Sequence, residues 1–313
     1  MTTNTDLAAA AEHHSRLLQP PPPDVPGQTG AAQDLATGSV GTALAHIERA
    51  RSGLESWRTA HAFILHATSA PISDHDTSGL FLGAPALAFA LDAAAGTSDR
   101  YKSGLADLDP AVTQLAHRRT SRALGRIAAG EAATFAEYDI FSGLSGIGAL
   151  LLRRDPGGSA LERVLTYLVA LTQPLPDRYK RLPGWWVSHN PHRKTQPGYP
   201  GHANLGAAHG ITGPLALLAQ AARRGITVDG HHQAIADICH WLNAWRRGDD
   251  AGCWWPEHVA MSELRTGRTS QTGPARPSWC YGTPGIARAG QLAAIALGDR
   301  TLQHEYESAL VAC

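Results

Sequence analysis

The chain of 313 residues carries no net charge. Its 27 basic residues equal its 27 acidic ones, so nothing electrostatic favours nucleic acid or an anionic membrane as the main partner. Long apolar runs are missing too. No stretch approaches the roughly eighteen apolar residues of a membrane span, and the opening MTTNTDLAAAAEHH lacks the basic start and apolar core of a secretory signal. The expectation is a cytoplasmic protein with no transmembrane segment and no nucleic-acid ligand. Cysteine is sparse: Cys239, Cys253, Cys280 and Cys313 are too few and too scattered to be a disulfide framework. In a reducing compartment they read as core thiols, metal ligands or nucleophiles. Period-two alternation is also scarce, which argues against a sheet-based body.

With 43% hydrophobic and 17% charged residues, the chain has enough apolar surface for a substantial core. Residues 1–30 are polar and contain the run Pro20 to Pro23, a composition that resists packing, so they read as a flexible proline-rich tail ahead of a body at 31–313. Within that body apolar residues recur at helical spacing, as in Ala43, Leu44 and Ile47, and in Leu161, Val164, Leu165 and Leu168. A loose repeat runs through it. Gly38 and Gly41, Leu80 and Gly83, Gly143 and Gly146, Gly210 and Gly213, and Gly282 and Gly285 each open an Ala- and Leu-rich run. Glycine at a helix start lets backbones approach closely, which suits several helix N-termini converging on one centre. The pattern predicts an all-α fold, an α/α toroid of helical hairpins of the six- or seven-hairpin type.

Three of these turns carry residues with chemistry. His209 stands in Gly206-Ala-Ala-His-Gly-Ile-Thr-Gly213, at the mouth of an apolar helix through Ala222. Cys280 stands in Trp279-Cys-Tyr-Gly-Thr-Pro-Gly285, with Arg276 four residues earlier and Tyr281 beside it. A cationic neighbour favours thiolate, which suits a reactive or metal-binding cysteine, although a buried core thiol also fits. Asp139, in Tyr138-Asp-Ile-Phe-Ser-Gly-Leu-Ser-Gly-Ile-Gly148, is either a helix cap or a carboxylate that orients a histidine.

AAHGITG, SWCYGTPG and YDIFSGLSGIG resemble the three corresponding motifs of the LanC-like lanthipeptide cyclase family, in the family's order and approximate spacing. The likeness runs from about residue 35 to the end. It implies an α/α toroid whose central zinc is held by two cysteines and a histidine, with the open position taking a substrate thiol. The implied reaction is addition of a peptide cysteine thiol to dehydroalanine or dehydrobutyrine, which closes a (methyl)lanthionine ring. By the resemblance Cys280 is a zinc ligand, His209 the acid/base, Asp139 a cavity carboxylate, and Arg276 and Tyr281 residues around the metal. The implied partners are a dehydrated precursor peptide and a separate dehydratase.

The chain departs from the family pattern at its end. No Cys-His-Gly follows the Cys280 motif, so the second and third zinc ligands have no counterpart. Cys239 and His240 are followed by Trp241 and lie inside a helical pattern, which makes Cys239 a core thiol. The segment Glu307 to Cys313 reads as an unfinished helix, and the toroid is expected to be C-terminally incomplete, with the zinc-dependent reaction impaired. Two other readings stay open. One is a non-catalytic peptide-binding paralogue. The other is an α/α toroid glycosidase that uses the pairs Trp185-Trp186 and Trp254-Trp255 to stack sugars and Asp139 and Glu257 as acids. The stretch Gly184 to Gly201 reads as a long loop, either simply solvated or lining the peptide entrance; His189, His192 and the neighbouring His202 lack tight metal-ligand spacing.

Overall fold

The computed structural model describes residues 31–175, 182–192, 194, 197–249 and 252–313. The proline-rich segment 1–30 lies outside the described residues. By internal contact the chain divides into two compact units, Met1–Val112 and Thr113–Cys313.

In the first unit a short 3-10 turn, Ala31–Gln33, precedes α1 (Ser39–Arg51), α2 (Trp57–Ala67) and α3 (Ala84–Ala95). α1 packs against both α2 and α3. Val40, Ala43 and Ile47 recur at three- and four-residue spacing on α1 and are fully buried. Ser56 caps α2 by accepting the Arg58 amide, and Pro85 sits in the first turn of α3, where its missing N–H costs nothing. The long α4 (Lys102–Ala128) crosses the division between the units.

The second unit continues with α5 (Phe135–Tyr138), α6 (Leu144–Arg154), α7 (Ser159–Leu171), β1 (His202–Asn204), α8 (Thr212–Ala222) and α9 (His231–Trp245). After these come β2 (Arg247–Asp249), β3 (Gly252–Trp254), β4 (His258–Ala260), α10 (Met261–Thr266), α11 (Thr283–Leu297) and α12 (Arg300–Val311). α11 packs on α12 and α8, α6 on α7 and α8, and α9 on α8 and α11. The spacing of Leu161, Val164, Leu165 and Leu168 on α7 does what it predicts, since all four are fully buried. At about 1.5–3 kcal/mol for each fully buried aliphatic side chain, such faces rather than local propensity hold the helices in place.

The helices are as expected, and among the described residues the sheet content is confined to short ribbons and isolated bridges. β1 and β4 pair antiparallel with His202 opposite Ala260 and Asn204 opposite His258, while β2 and β3 form a second antiparallel pair. Each glycine turn of the sequence repeat immediately precedes or opens a helix, namely α1, α3, α6, α8 and α11. α12 ends at Val311, where the Ala312 amide donates to the Ser308 carbonyl, and Val311 is strongly exposed.

Candidate active site

Asp139 follows the single turn α5 and is completely buried. Its Oδ1 accepts the backbone amides of Ser142 and Gly143 at 2.7 and 2.8 Å. Its Oδ2 lies 2.6 Å from His209 Nδ1. Of the two roles that the sequence left open, Oδ1 caps no amide inside α6 and instead holds the turn ahead of it, while Oδ2 faces the histidine. Gly143 is required here, because a Cβ at that position would run into the Asp139 amide nitrogen.

His209 lies in the turn that leads into α8, with one fifth of its side chain exposed. A carboxylate can only accept, so the 2.6 Å contact places the proton of a neutral ring on Nδ1 and leaves Nε2 with its lone pair. Aromatic rings hold the imidazole. Phe135 stacks nearly parallel to it at 5.5 Å, Phe141 lies at 5.1 Å and Tyr281 at 6.3 Å. Such contacts restrict the ring to one orientation, which is what a positioned acid/base needs.

Backbone bonds stitch the three motifs together. The Ala208 amide donates to the Cys280 carbonyl at 3.2 Å, and the Ala208 carbonyl accepts the Ile140 amide at 3.3 Å. This approach depends on Gly206: a Cβ there would lie 2.5 Å from the Cys280 carbonyl oxygen and 2.6 Å from the Tyr281 ring. Cys280 is a free, half-buried thiol, and Tyr281 is half-buried beside it. Trp279 is half exposed and presents its edge to Phe141 at 6.3 Å. Arg276 is exposed, and its backbone carbonyl lies against the same turn, 2.5 Å from where a Cβ on Gly282 would stand.

Beyond Phe135 lies a feature that spacing along the chain did not flag as a unit. His202 on β1 is fully buried and makes edge contacts with Phe135 at 5.5 Å, His258 at 5.4 Å and His189 at 6.1 Å. The Tyr199 hydroxyl lies 3.4 Å from its Nδ1, and its Nε2 has no partner among the described residues. Burial, reinforced by the neighbouring His258 and His189, pushes its pKa down to about 3, so the ring is neutral at ordinary pH. The two flanking histidines belong to segments far apart in sequence, and the β1–β4 pairing brings His258 to His202.

The donor set for zinc does not close. Among the described residues no three His, Cys, Asp or Glu side chains are grouped so as to hold a metal ion. Cys239 is buried in α9, where burial pushes its thiol up to about 12, as befits a core residue. Cys253 lies on β3, with its thiol also raised by burial, and Cys313 is exposed beyond α12. The described residues therefore do not fit a three-ligand zinc site. The tryptophan pairs are spent elsewhere. Trp185, Trp186, Trp254 and Trp255 are all at most 6% exposed, so they pack the interior and offer no face to a sugar.

The fold and site together define a mostly helical protein with a carboxylate-oriented histidine at the start of a helix, its turn bonded through backbone to the turn that carries a free cysteine. A model of the lanthionine synthetase C-like protein family matches residues 31–312, and the chain belongs to that family. Among solved structures, one titled nisin cyclase superposes with a TM-score of 0.74 at 21% sequence identity, over 97% of this chain and 72% of that one. At that identity the likeness is one of fold, and it supports the α/α toroid class. No curated protein sequence matches the chain.

Proposed function

We propose that this chain is a lanthipeptide cyclase-type protein that adds a peptide cysteine thiol across the double bond of dehydroalanine or dehydrobutyrine. The observation that carries the proposal is the 2.6 Å contact of buried Asp139 with His209, beside Cys280 and in a member of the lanthionine synthetase C-like family. A free thiol with a pKa near 8.5 is only a few per cent thiolate at neutral pH, so a base raises the amount of nucleophile. When sulfur attacks the β-carbon, an enolate forms, and a proton must reach the α-carbon. His209, with Nδ1 anchored on Asp139, can take the thiol proton at Nε2 and return one to carbon. Buried Asp139 stabilises the imidazolium that exists between the two transfers, the part a carboxylate plays in other histidine dyads. Phe135, Phe141 and Tyr281 keep the ring aligned and shield it from water. Arg276, which the family resemblance places around the metal, stabilises the developing enolate oxygen in this reading.

Zinc, which the family resemblance implies, would supply a deprotonated thiolate when bound, with Cys280 as one ligand. The described residues provide neither a second nor a third, and no step here runs through it. We expect turnover below that of a chain with the full ligand set. The substrate is a precursor peptide dehydrated beforehand, and a separate dehydratase is the partner that must supply it.

The test is to incubate the chain with a dehydrated peptide that carries a free cysteine. Addition leaves the mass unchanged, so ring closure is read as loss of alkylatable thiol by mass spectrometry. Loss faster than in buffer supports the cyclase reading. Tight peptide binding with no such acceleration would overturn it in favour of the non-catalytic peptide-binding paralogue.

A further inference from the structure

Arg119 lies on α4, within the second unit, and is 8% exposed. One guanidinium nitrogen donates to the Ser142 carbonyl at 2.6 Å and the other to the Ala136 carbonyl at 2.5 Å. These carbonyls stand three residues to either side of Asp139. The same Ser142 that gives its carbonyl to Arg119 gives its amide to Asp139 Oδ1. The loop that presents the carboxylate is thus clamped from outside by a planar fork and tied from inside by the carboxylate itself.

Taking a guanidinium out of water is costly, and the two backbone carbonyls offset part of that cost. If only the charge mattered, lysine would serve. Two rigid N–H vectors spanning two carbonyls need the arginine fork. A second arginine two turns further along secures the same segment by a different route: Arg126 pairs with Glu137 at 2.7 Å, and Tyr167 donates to Glu137 at 2.8 Å. That pair grips a side chain ahead of Asp139, while Arg119 holds the backbone on both sides of it.

We propose that Arg119 is a positioning residue for the acid/base pair. By fixing the Ala136–Ser142 loop it holds Asp139 Oδ2 against His209 Nδ1, and so sets the ring tautomer that leaves Nε2 ready for proton transfer. The kinetic part rests on the cyclase reading above; the tautomer does not, and the two readouts fail separately.

The experiment compares the intact chain with its R119M and R119K variants. Histidine ring nitrogens are followed by NMR in 15N-histidine-labelled protein, with thiol loss from a dehydrated peptide followed in parallel and thermal unfolding as the check on folding. The unmodified protein should show His209 protonated on Nδ1. R119M should show a mixture of tautomers and a kcat lowered on the order of 10–100-fold with KM little changed, because displacement of the pair by about an ångström is worth up to a hundredfold. R119K, which can reach one carbonyl, should fall between the two. If R119M fails to fold, R119K decides the matter. A folded variant with the native tautomer and a kcat within twofold of the unmodified chain would overturn the proposal. An altered tautomer in a chain that never consumes thiol would sustain it while removing the cyclase reading.

Discussion

Acidification should weaken the fold through His202. In the unfolded chain this ring binds a proton near pH 6.5, whereas in the folded protein burial, with His258 and His189 alongside, delays protonation to about pH 3. The folded pKa is the lower of the two, so the fold favours the neutral ring. The stabilisation is complete above pH 6.5 and is lost progressively as pH falls from 6.5 toward 3. One proton taken up by the unfolded state alone costs about 1.4 kcal/mol per pH unit. Between pH 6.5 and 4.5 that amounts to about 2–3 kcal/mol, a large share of the roughly 5–15 kcal/mol that holds a typical domain together. Other carboxylates and histidines titrate over the same range, and the H202Q variant, neutral at every pH, isolates the contribution. Urea unfolding of both proteins at pH 7.5, 6.5, 5.5 and 4.5 should give a stability difference that shrinks, or reverses in favour of H202Q, as pH falls. A difference constant across the series would refute the reasoning, because it would mean that the ring protonates equally in both states.

Four further outcomes follow from packing and geometry. Leu168→Ala, at a fully buried position on α7, should cost about 2–5 kcal/mol, read as a lower denaturation midpoint with little change in slope. Glu137→Ala strands a largely buried Arg126 and removes the acceptor of Tyr167, which should cost about 3–5 kcal/mol in the same assay. Gly206→Ala forces a methyl against the Cys280 carbonyl and the Tyr281 ring, so thiol consumption should fall at least tenfold in a protein that circular dichroism shows still to be helical. Alkylation by iodoacetamide at neutral pH, mapped by peptide mass, should modify Cys313 first and Cys239 last, since Cys313 is exposed while Cys239 is buried with its thiol pushed up to about 12.

Much of this was readable in the chain. The five glycine turns mark the starts of α1, α3, α6, α8 and α11, and the helical spacing in α7 marks its buried face. Asp139, His209 and Cys280 are visible because each stands at a glycine turn in a distinctive motif, and the backbone bonds among Ile140, Ala208 and Cys280 bring those motifs together. Arg276 was legible as a motif neighbour of Cys280, and its role stays with the family resemblance. The His202 cluster was illegible for a physical reason. Its members depend on a three-residue strand pairing with another more than fifty residues away, too short to leave an alternation in the sequence. Arg119 was hidden for a similar reason: its partners are backbone carbonyls, which carry no residue identity. The tryptophan pairs took the commoner of the two uses that sequence allows such pairs, packing the interior. Their sugar-binding reading needed exposed faces, and all four rings are buried.

The central claim, that His209 held by Asp139 performs the proton transfers of thiol addition, is tested most directly by comparing the unmodified chain with H209N on one dehydrated, cysteine-containing peptide. The account predicts that the unmodified chain removes alkylatable thiol faster than buffer does, and that H209N loses about 10²–10⁴-fold of that rate while peptide affinity is retained. Equal rates in the two proteins would contradict it.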